Sequence, residues 1–421
     1  MNSSGTEGID PTIIAEAEAL LLTLKNHNGD PAQQQKAIRH LEKLRCSMYN
    51  GFDTLLFHAQ PILPAINVLM EHGVFDAILP QESMSLEDIA AKVDLDATIL
   101  NRFLRIVITQ GIFTEISPRV IAHTPASAIF RNDQAADFFR LGQDYLPTFL
   151  MGLSLIPLLA IYSTTQFPQW WKVSQYLKTH SANDAYDATR VPYVWAQGKE
   201  GKTYYEAMEE DPIVAEAWHK GMVMIESMQP VTGMFPFRSM LGQVNAERER
   251  TFVVDVGGGR GNALVAIMDE CGGDVAGRMV LQDLGDVLEG KSPVRIEGVQ
   301  TMPHNFFDPQ PVKNAHVYYL RNVLHNHYDD RSKIILRNIV DAMGSDSRVL
   351  IGEMILPAAV SAGSDPMPYF MDLNMFMEGG MERTEDQWNG LLEAVGLEIK
   401  KIWRLTSNPV QATIEARLKG C

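Results

Sequence analysis

Three side chains towards the C-terminal end of the sequence, His325, Glu353 and Glu382, are of the types that move protons. An imidazole held and polarised by a carboxylate is the usual arrangement of a general base. A lone histidine is more often structural. His325 stands out because it follows the apolar run 317–320 and because two acids lie downstream of it. Glu353 interrupts the apolar stretch Leu350-Ile351-Gly352-Glu353-Met354-Ile355, where a charge is costly unless paired. Glu382 sits in Gly379-Gly380-Met381-Glu382-Arg383-Thr384, a turn ahead of the last helix.

A second group carries ligand chemistry. Asp255-Val256-Gly257-Gly258-Gly259-Arg260-Gly261 follows a short β-branched run and opens a helical one. Glycines there permit a tight turn and close approach of a ligand to the backbone, and the helix N-terminus favours negative charge. A P-loop would need Gly-Lys-Ser/Thr, which Arg260-Gly261-Asn262 does not supply, and GxGxxG counted from Gly257 ends on Asn262. The remaining form, D-x-G-x-G-x-G, suits a ligand with a carboxylate and an amine better than a pyrophosphate. Asp283 closes the next apolar run, 279–282, where a carboxylate can take both hydroxyls of a ribose.

The elements that must position these groups read as α/β. From Arg250 onward, apolar runs at 251–256, 279–282, 315–320 and 348–355 alternate with helical stretches, which implies a parallel sheet with helices on both faces. Runs 397–404 and 410–415, joined by Ser407-Asn408-Pro409, finish it as an antiparallel hairpin. Upstream, a capping-box-like Ser85-Leu86-Glu87-Asp88 opens a helix to Val93, and Asp96 caps another over 97–109 that Gly111 closes. Strands at 112–116 and 120–123 follow, a winged-helix arrangement. Its second helix offers only Arg102 and Arg105 against Asp94, Asp96 and Glu115, so an interaction module is the better reading than a DNA binder. Helices are also expected at 13–24, 36–46 and 61–73, and from Asp211-Pro212 through Trp218. Three domains are expected: 1–135, helical and winged-helix-like; 136–240, a helical acceptor-pocket segment; and 241–421, a Rossmann-like ligand-binding domain.

Composition narrows the function. With 36 Lys plus Arg against 52 Asp plus Glu in 421 residues, the net charge of -16 disfavours nucleic acid and anionic membrane. The three cysteines, Cys46, Cys271 and Cys421, form no disulfide or metal-knuckle pattern and suit a reducing compartment, so a cytoplasmic protein is expected. Residues 146–162 are strongly apolar but short and broken by Pro147 and Pro157, so buried helix segments are expected there rather than a membrane span.

Taken together, these motifs resemble the plant caffeate-type O-methyltransferases and their fungal secondary-metabolite relatives, which use S-adenosylmethionine (SAM). The resemblance rests on residues 253–261 (VVDVGGGRG), 281–284 (LQDL), 318–325 (YYLRNVLH), 351–357 (IGEMILP) and 379–385 (GGMERTE), besides the winged-helix-like region. It implies that Gly257, Gly258 and Gly259 pass the methionine part of SAM and that Asp283 holds the ribose. Asn305 and Phe306 fall where the family contacts adenine, and Arg321 where it has a Lys or Arg near the cofactor. His325 would deprotonate the acceptor hydroxyl, with Glu353 and Glu382 orienting its ring, and no metal is required. The N-terminal region would be a homodimerisation module that closes part of the partner's acceptor pocket.

The implied chemistry is metal-independent SN2 methyl transfer to a phenolic or enolic oxygen. A phenol with a pKa of ~10 is only about 0.1% ionised at neutral pH, so a positioned base recovers up to roughly a thousandfold. Aromatic residues at 146–240, with Met375 and Met377, suggest a broad apolar pocket for a polyketide-type acceptor. Two positions depart from the family pattern. Asn305 replaces its Asp, and His325-Asn326-His327 replaces His-Asp-Trp. Some fungal relatives are pericyclases that keep SAM as a bound cation, and that reading stands as the alternative.

Overall fold

A computed structural model describes residues 10–48, 62–131, 167–212, 214–215, 229–272, 275–290, 293–406 and 408–420. The apolar stretch 146–162, Trp218 and most of the helix expected after Asp211 lie outside the described residues. The chain divides into two compact units, Met1–Gln60 and Pro61–Cys421. Among the described residues, no helix is long and apolar enough to cross a membrane.

The described residues of the first unit form a pair of packed helices, α1 (Pro11–Lys25) and α2 (Pro31–Met48). Asp10 caps α1 by accepting from the Thr12 backbone N–H at 2.8 Å.

The second unit opens with α3 (Ile62–Glu71), which Gly73 ends in a left-handed conformation. Strand β1 (Ser83–Ser85), helices α4 (Leu86–Val93) and α5 (Ala97–Thr109), and strands β2 (Phe113–Ser117) and β3 (Val120–His123) follow. Asp96 caps α5 through the N–H groups of Thr98 and Ile99, as its position in the sequence predicts. The wing has a third strand, β1, paired antiparallel with β3. Asp88 takes the Ser85 hydroxyl rather than a backbone N–H, so the expected capping box closes side chain to side chain.

The large sheet comprises β4 (Val253–Val256), β5 (Met279–Asp283), β6 (Val299–Pro303), β7 (Val317–Arg321), β8 (Arg348–Leu356), β9 (Arg383–Thr384), β10 (Leu397–Arg404) and β11 (Gln411–Leu418). Its order is β10-β11-β8-β7-β4-β5-β6, with β9 beside the end of β8; β4 to β9 pair parallel, and β11 is antiparallel to both β8 and β10. Strands β4, β5, β7 and most of β8 are buried along almost their whole length, as strands covered on both faces must be. Connecting helices include α6 (Asn262–Cys271), α7 (Asp329–Val340), α8 (Met367–Glu378) and α9 (Glu385–Glu393). Two apolar clusters, one containing Val254, Tyr318, Ile351 and Trp388 and the other Phe252, Leu264, Leu281 and Tyr319, hold the sheet. The strand order reverses between β4 and β7, and ligands of such sheets bind at the carboxyl ends of the strands flanking that point.

Candidate active site

The glycine turn is built at the carboxyl end of β4. Backbone N–H groups of Gly257 and Gly258 both donate to the Gln282 carbonyl of β5, at 2.9 and 3.1 Å. Gly257 has a φ of +71°, and a side chain on it would meet Val323 at 3.0 Å and Phe306 at 3.4 Å. A Cβ on Gly258 would lie 2.4 Å from the Asp255 carboxylate. The turn therefore admits only glycine at these two positions, and it leaves its backbone face uncovered by Cβ atoms. Asp283 stands at the end of β5, where its carboxylate accepts from Gly259 N–H and Leu284 N–H, both at 2.8 Å. Burial raises its pKa above the ordinary aspartate value, and those two N–H groups oppose the shift.

Phe306 packs against the glycine turn and, with Phe307, against the ring of His327 at 5.7 and 5.4 Å. Asn305 is exposed, and its side-chain oxygen accepts the Phe307 N–H at 3.0 Å. Arg321 ends β7 and donates to the Gln229 carbonyl at 2.8 Å, while Asn322 donates to the Gln229 side chain at 2.7 Å. Gln229 thus straps the end of β7, a contact nothing in its local sequence announces.

His325 lies on the short turn after β7. Its Nδ1 donates to Glu382 Oε1 at 2.9 Å, with Glu353 Oε2 at 3.6 Å. This leaves Nε2 as the nitrogen that gains and loses the titrating proton. Glu353 uses its other oxygen to accept the backbone N–H groups of Val323, Leu324 and His325, so a charge inside β8 fixes the turn that carries the imidazole. Both glutamates are nearly inaccessible, and among the described residues the second oxygen of each has no hydrogen-bond partner. Negative potential therefore concentrates on the ring. Burial lowers the affinity of His325 for its proton, but Glu353 and Glu382 outweigh it and push the imidazole up to about 9. An ordinary imidazole near 6.5 would be mostly neutral at pH 7; this one carries its proton there. Burial holds Glu353 above the usual carboxylate range, against the pull of His325.

Long-range contacts complete the cluster. Arg383 is fully buried and donates to the carbonyls of Leu324 and His327 at 3.0 and 2.7 Å, clamping the His325 turn. A Cβ on Gly380 would fall 2.0 Å from the His325 carbonyl, so glycine is obligatory where the two turns meet. Arg102 of α5 is buried; it donates to the Gly380 carbonyl at 3.1 Å and lies 3.7 Å from Asp372, whose carboxylate accepts the Glu382 N–H at 2.9 Å. Arg105 donates to the Ala358 carbonyl. Arg102 thus serves the interior and Arg105 a contact nearer the surface, consistent with the interaction-module reading. Burial pushes Glu378 up to about 7, against the pull of His325 and a hydrogen bond from Tyr204. His327 is driven down to about 3 by burial and by Arg331, and stays neutral.

Two clusters among the described residues have the donor types of a metal site. One atom each of His325, Glu353 and Glu382 lie within 4.8 Å of one another, but the imidazole and glutamates there satisfy each other. In the other, Glu247, His316 and Asp346, the Arg250 guanidinium already supplies the cation, donating to Glu247 at 2.8 Å and to Asp346 at 2.7 Å.

A glycine cradle, an acid at the next strand end and a histidine between two buried glutamates now stand in one structure. The family model of the O-methyltransferase domain matches residues 178–398, and that of the O-methyltransferase dimerisation domain matches residues 59–133. The chain belongs to the O-methyltransferase family. It is similar to O-methyltransferase hmp5 of Hypomyces subiculosus, 33% identical with 97% of this chain and 98% of the relative covered. O-methyltransferase kntB of Aspergillus niger is 30% identical over 85% of this chain and 81% of its own. Among solved structures, OxaC in complex with sinefungin and meleagrin is 26% identical, with a TM-score of 0.58 over 97% of this chain and 99% of that one. LepI, solved with SAM, shares the fold at 22% identity and a TM-score of 0.57. The protein is thus a SAM-dependent O-methyltransferase. A backbone turn at 257–259 with no Cβ over it, beside the Asp283 carboxylate, is compatible with such a cofactor.

Proposed function

We propose that this O-methyltransferase methylates a phenolic or enolic hydroxyl of a small, polyketide-type secondary metabolite, with His325 as the general base. The 2.9 Å hydrogen bond from His325 to Glu382, backed by the buried Glu353, is the observation that carries the reading. When bound, SAM supplies an electrophilic methyl group on a sulfonium and departs as S-adenosylhomocysteine. Gly257, Gly258, Gly259 and Asp283 hold it, with Asn305 and Phe306 on the adenine side and Arg321 fixing the Gln229 strap beside it.

Glu382 keeps the Nδ1 proton in place, so Nε2 of His325 receives the proton of the acceptor hydroxyl in the neutral form of the ring, which becomes the main form only toward pH 9. The raised basicity strengthens that neutral base and moves the pH at which it is available upward. A base pushed up to about 9 lies within about one unit of a phenol at ~10, whereas an ordinary imidazole is about 3.5 units short. The fixed turn around His325, clamped by Glu353 and Arg383, holds the base in register with the acceptor oxygen. Segment 136–240 contributes to the acceptor pocket, and the match of the dimerisation domain supports a homodimer.

The test is incubation of the purified protein with labelled SAM and a panel of phenols. One S-adenosylhomocysteine per methylated product is expected. Turnover of a substrate without consumption of SAM would replace this reading with pericyclic catalysis. Function surviving Asp283→Ala without any turnover would leave only a scaffold.

A further inference from the structure

A cavity of about 270 Å³ opens at the other end of the strands from the glycine turn. Its walls include Phe235, Met240 and Trp403, and its polar floor is Arg348, Glu415 and Arg417. Arg348 begins β8, five residues before Glu353, so about 17 Å of extended strand separates the two sites. Glu415 and Arg417 come from β11, and Trp403 from β10.

The charges in this cavity do not balance. Glu415 Oε1 accepts from Arg348 Nε at 3.1 Å and from Arg417 Nη2 at 3.2 Å, while its other oxygen accepts from Trp403 Nε1 at 3.1 Å. One carboxylate therefore serves two guanidinium groups. The nearby Asp346 offsets this only in part, because Arg250 and Gln243 already occupy it. The side chains of Arg348 and Arg417 are only 16% and 28% exposed, so bulk water screens them incompletely. Arg348 Nη1 and Arg417 Nε are shielded from water and have no acceptor among the described residues. Burial and the adjacent Arg417 charge lower the proton affinity of Arg348 by more than Glu415 and Asp346 restore it, as for a cation only partly matched by counter-ions. Arginine stays charged regardless, so the imbalance persists at neutral pH. In a chain whose net charge is -16, a half-enclosed positive cavity is a local exception.

We propose that this cavity is a binding site for a small organic carboxylate carried on an aromatic or aliphatic body, distinct from the methyl-transfer site. Planar guanidinium groups match a carboxylate in geometry as well as in charge. Phe235, Met240 and Trp403 provide the apolar wall for the body of the ligand. A monoanion is favoured over a phosphate dianion because Glu415 stays in the cavity and repels the second charge. The proposal does not depend on which acceptor is methylated.

Calorimetric titration of the full-length protein with sodium benzoate, at constant ionic strength in chloride, tests it. Saturable binding is expected, weakened about tenfold or more in Arg417→Gln. Glu415→Gln removes the competing charge while its amide oxygen still accepts from the arginines, giving up only the Trp403 bond, so it tightens benzoate binding several-fold. The opposite signs of the two variants separate a true site from a general loss of folding, which would weaken both. The proposal is overturned by an absence of saturable binding. It is overturned equally by an affinity that Arg417→Gln leaves unchanged, since benzoate would then occupy the acceptor pocket. Inorganic phosphate binding more tightly than benzoate would also overturn the assignment to carboxylates.

Discussion

The glycine turn at 257–261 and the cluster around His325 lie at the same edge of one sheet, yet they are built by opposite means. The turn is made of backbone: three consecutive glycines, two N–H groups on the Gln282 carbonyl, and an aspartate from the neighbouring strand. Its specificity lies in what is missing, namely Cβ atoms. The His325 cluster is made of side chains drawn from the turn after β7, the interior of β8 and the turn before β9. It works by placing two buried carboxylates against one imidazole. A steric site fails when atoms are added, and an electrostatic one fails when charge is removed.

That contrast can be broken most forcefully at the base. His325→Ala should lower methyl transfer by about 10³-fold while leaving SAM affinity essentially unchanged, measured by product formation and by calorimetry on the same preparation. Loss of both together would mean that the two regions are not separable. The reverse experiment is Gly258→Ala, whose Cβ would sit 2.4 Å from Asp255 and 2.6 Å from Leu281. Overpacking of that kind costs about 1–3 kcal/mol. SAM affinity should fall with thermal stability, while a titration of the His325 ring stays where it was.

A smaller and more particular effect is expected from Glu382→Gln, which keeps size and hydrogen bonding but removes a charge. Because Glu382 raises the pKa of His325, its loss lowers that pKa. The acid limb of the pH–rate profile should move to lower pH by about one unit, and the plateau rate should drop about tenfold. An unmoved limb would show that hydrogen-bond geometry alone, without the charge of Glu382, sets the behaviour of the ring.

The two regions also differed in how legible they were in the sequence. The turn is local, so Asp255 to Gly261 reveals it directly, and Asp283 follows from its place after the next apolar run. His325, Glu353 and Glu382 were recoverable because a glutamate within an apolar strand needs a partner. The supports of that cluster were not. Arg102 reads as a surface residue of a wing helix, yet it is buried against Asp372 and Gly380, 270 and 278 positions away. Gln229 and Arg383 likewise act through contacts that no periodicity encodes. Strand β6 escaped notice for another reason: it lies at the edge of the sheet, mixing exposed and half-buried residues, and shows no apolar run. Helix α8 is buried on nearly every side, which erases the amphipathic pattern that marks a helix. The raised basicity of His325 was also out of reach, because it depends on two glutamates arriving with their second oxygens unpartnered.

The most direct test of the account is the titration of the His325 ring itself. Histidine in the protein can be labelled with ¹⁵N and the resonances followed with pH, the His325 signal being identified by its absence in His325→Ala among the 11 histidines. A ring that holds its proton through neutral pH and releases it at about 9 is the expected result. A ring that titrates at or below the ordinary imidazole value of ~6.5 would contradict it, because the two glutamates would then not supply the basicity on which proton removal from the acceptor depends.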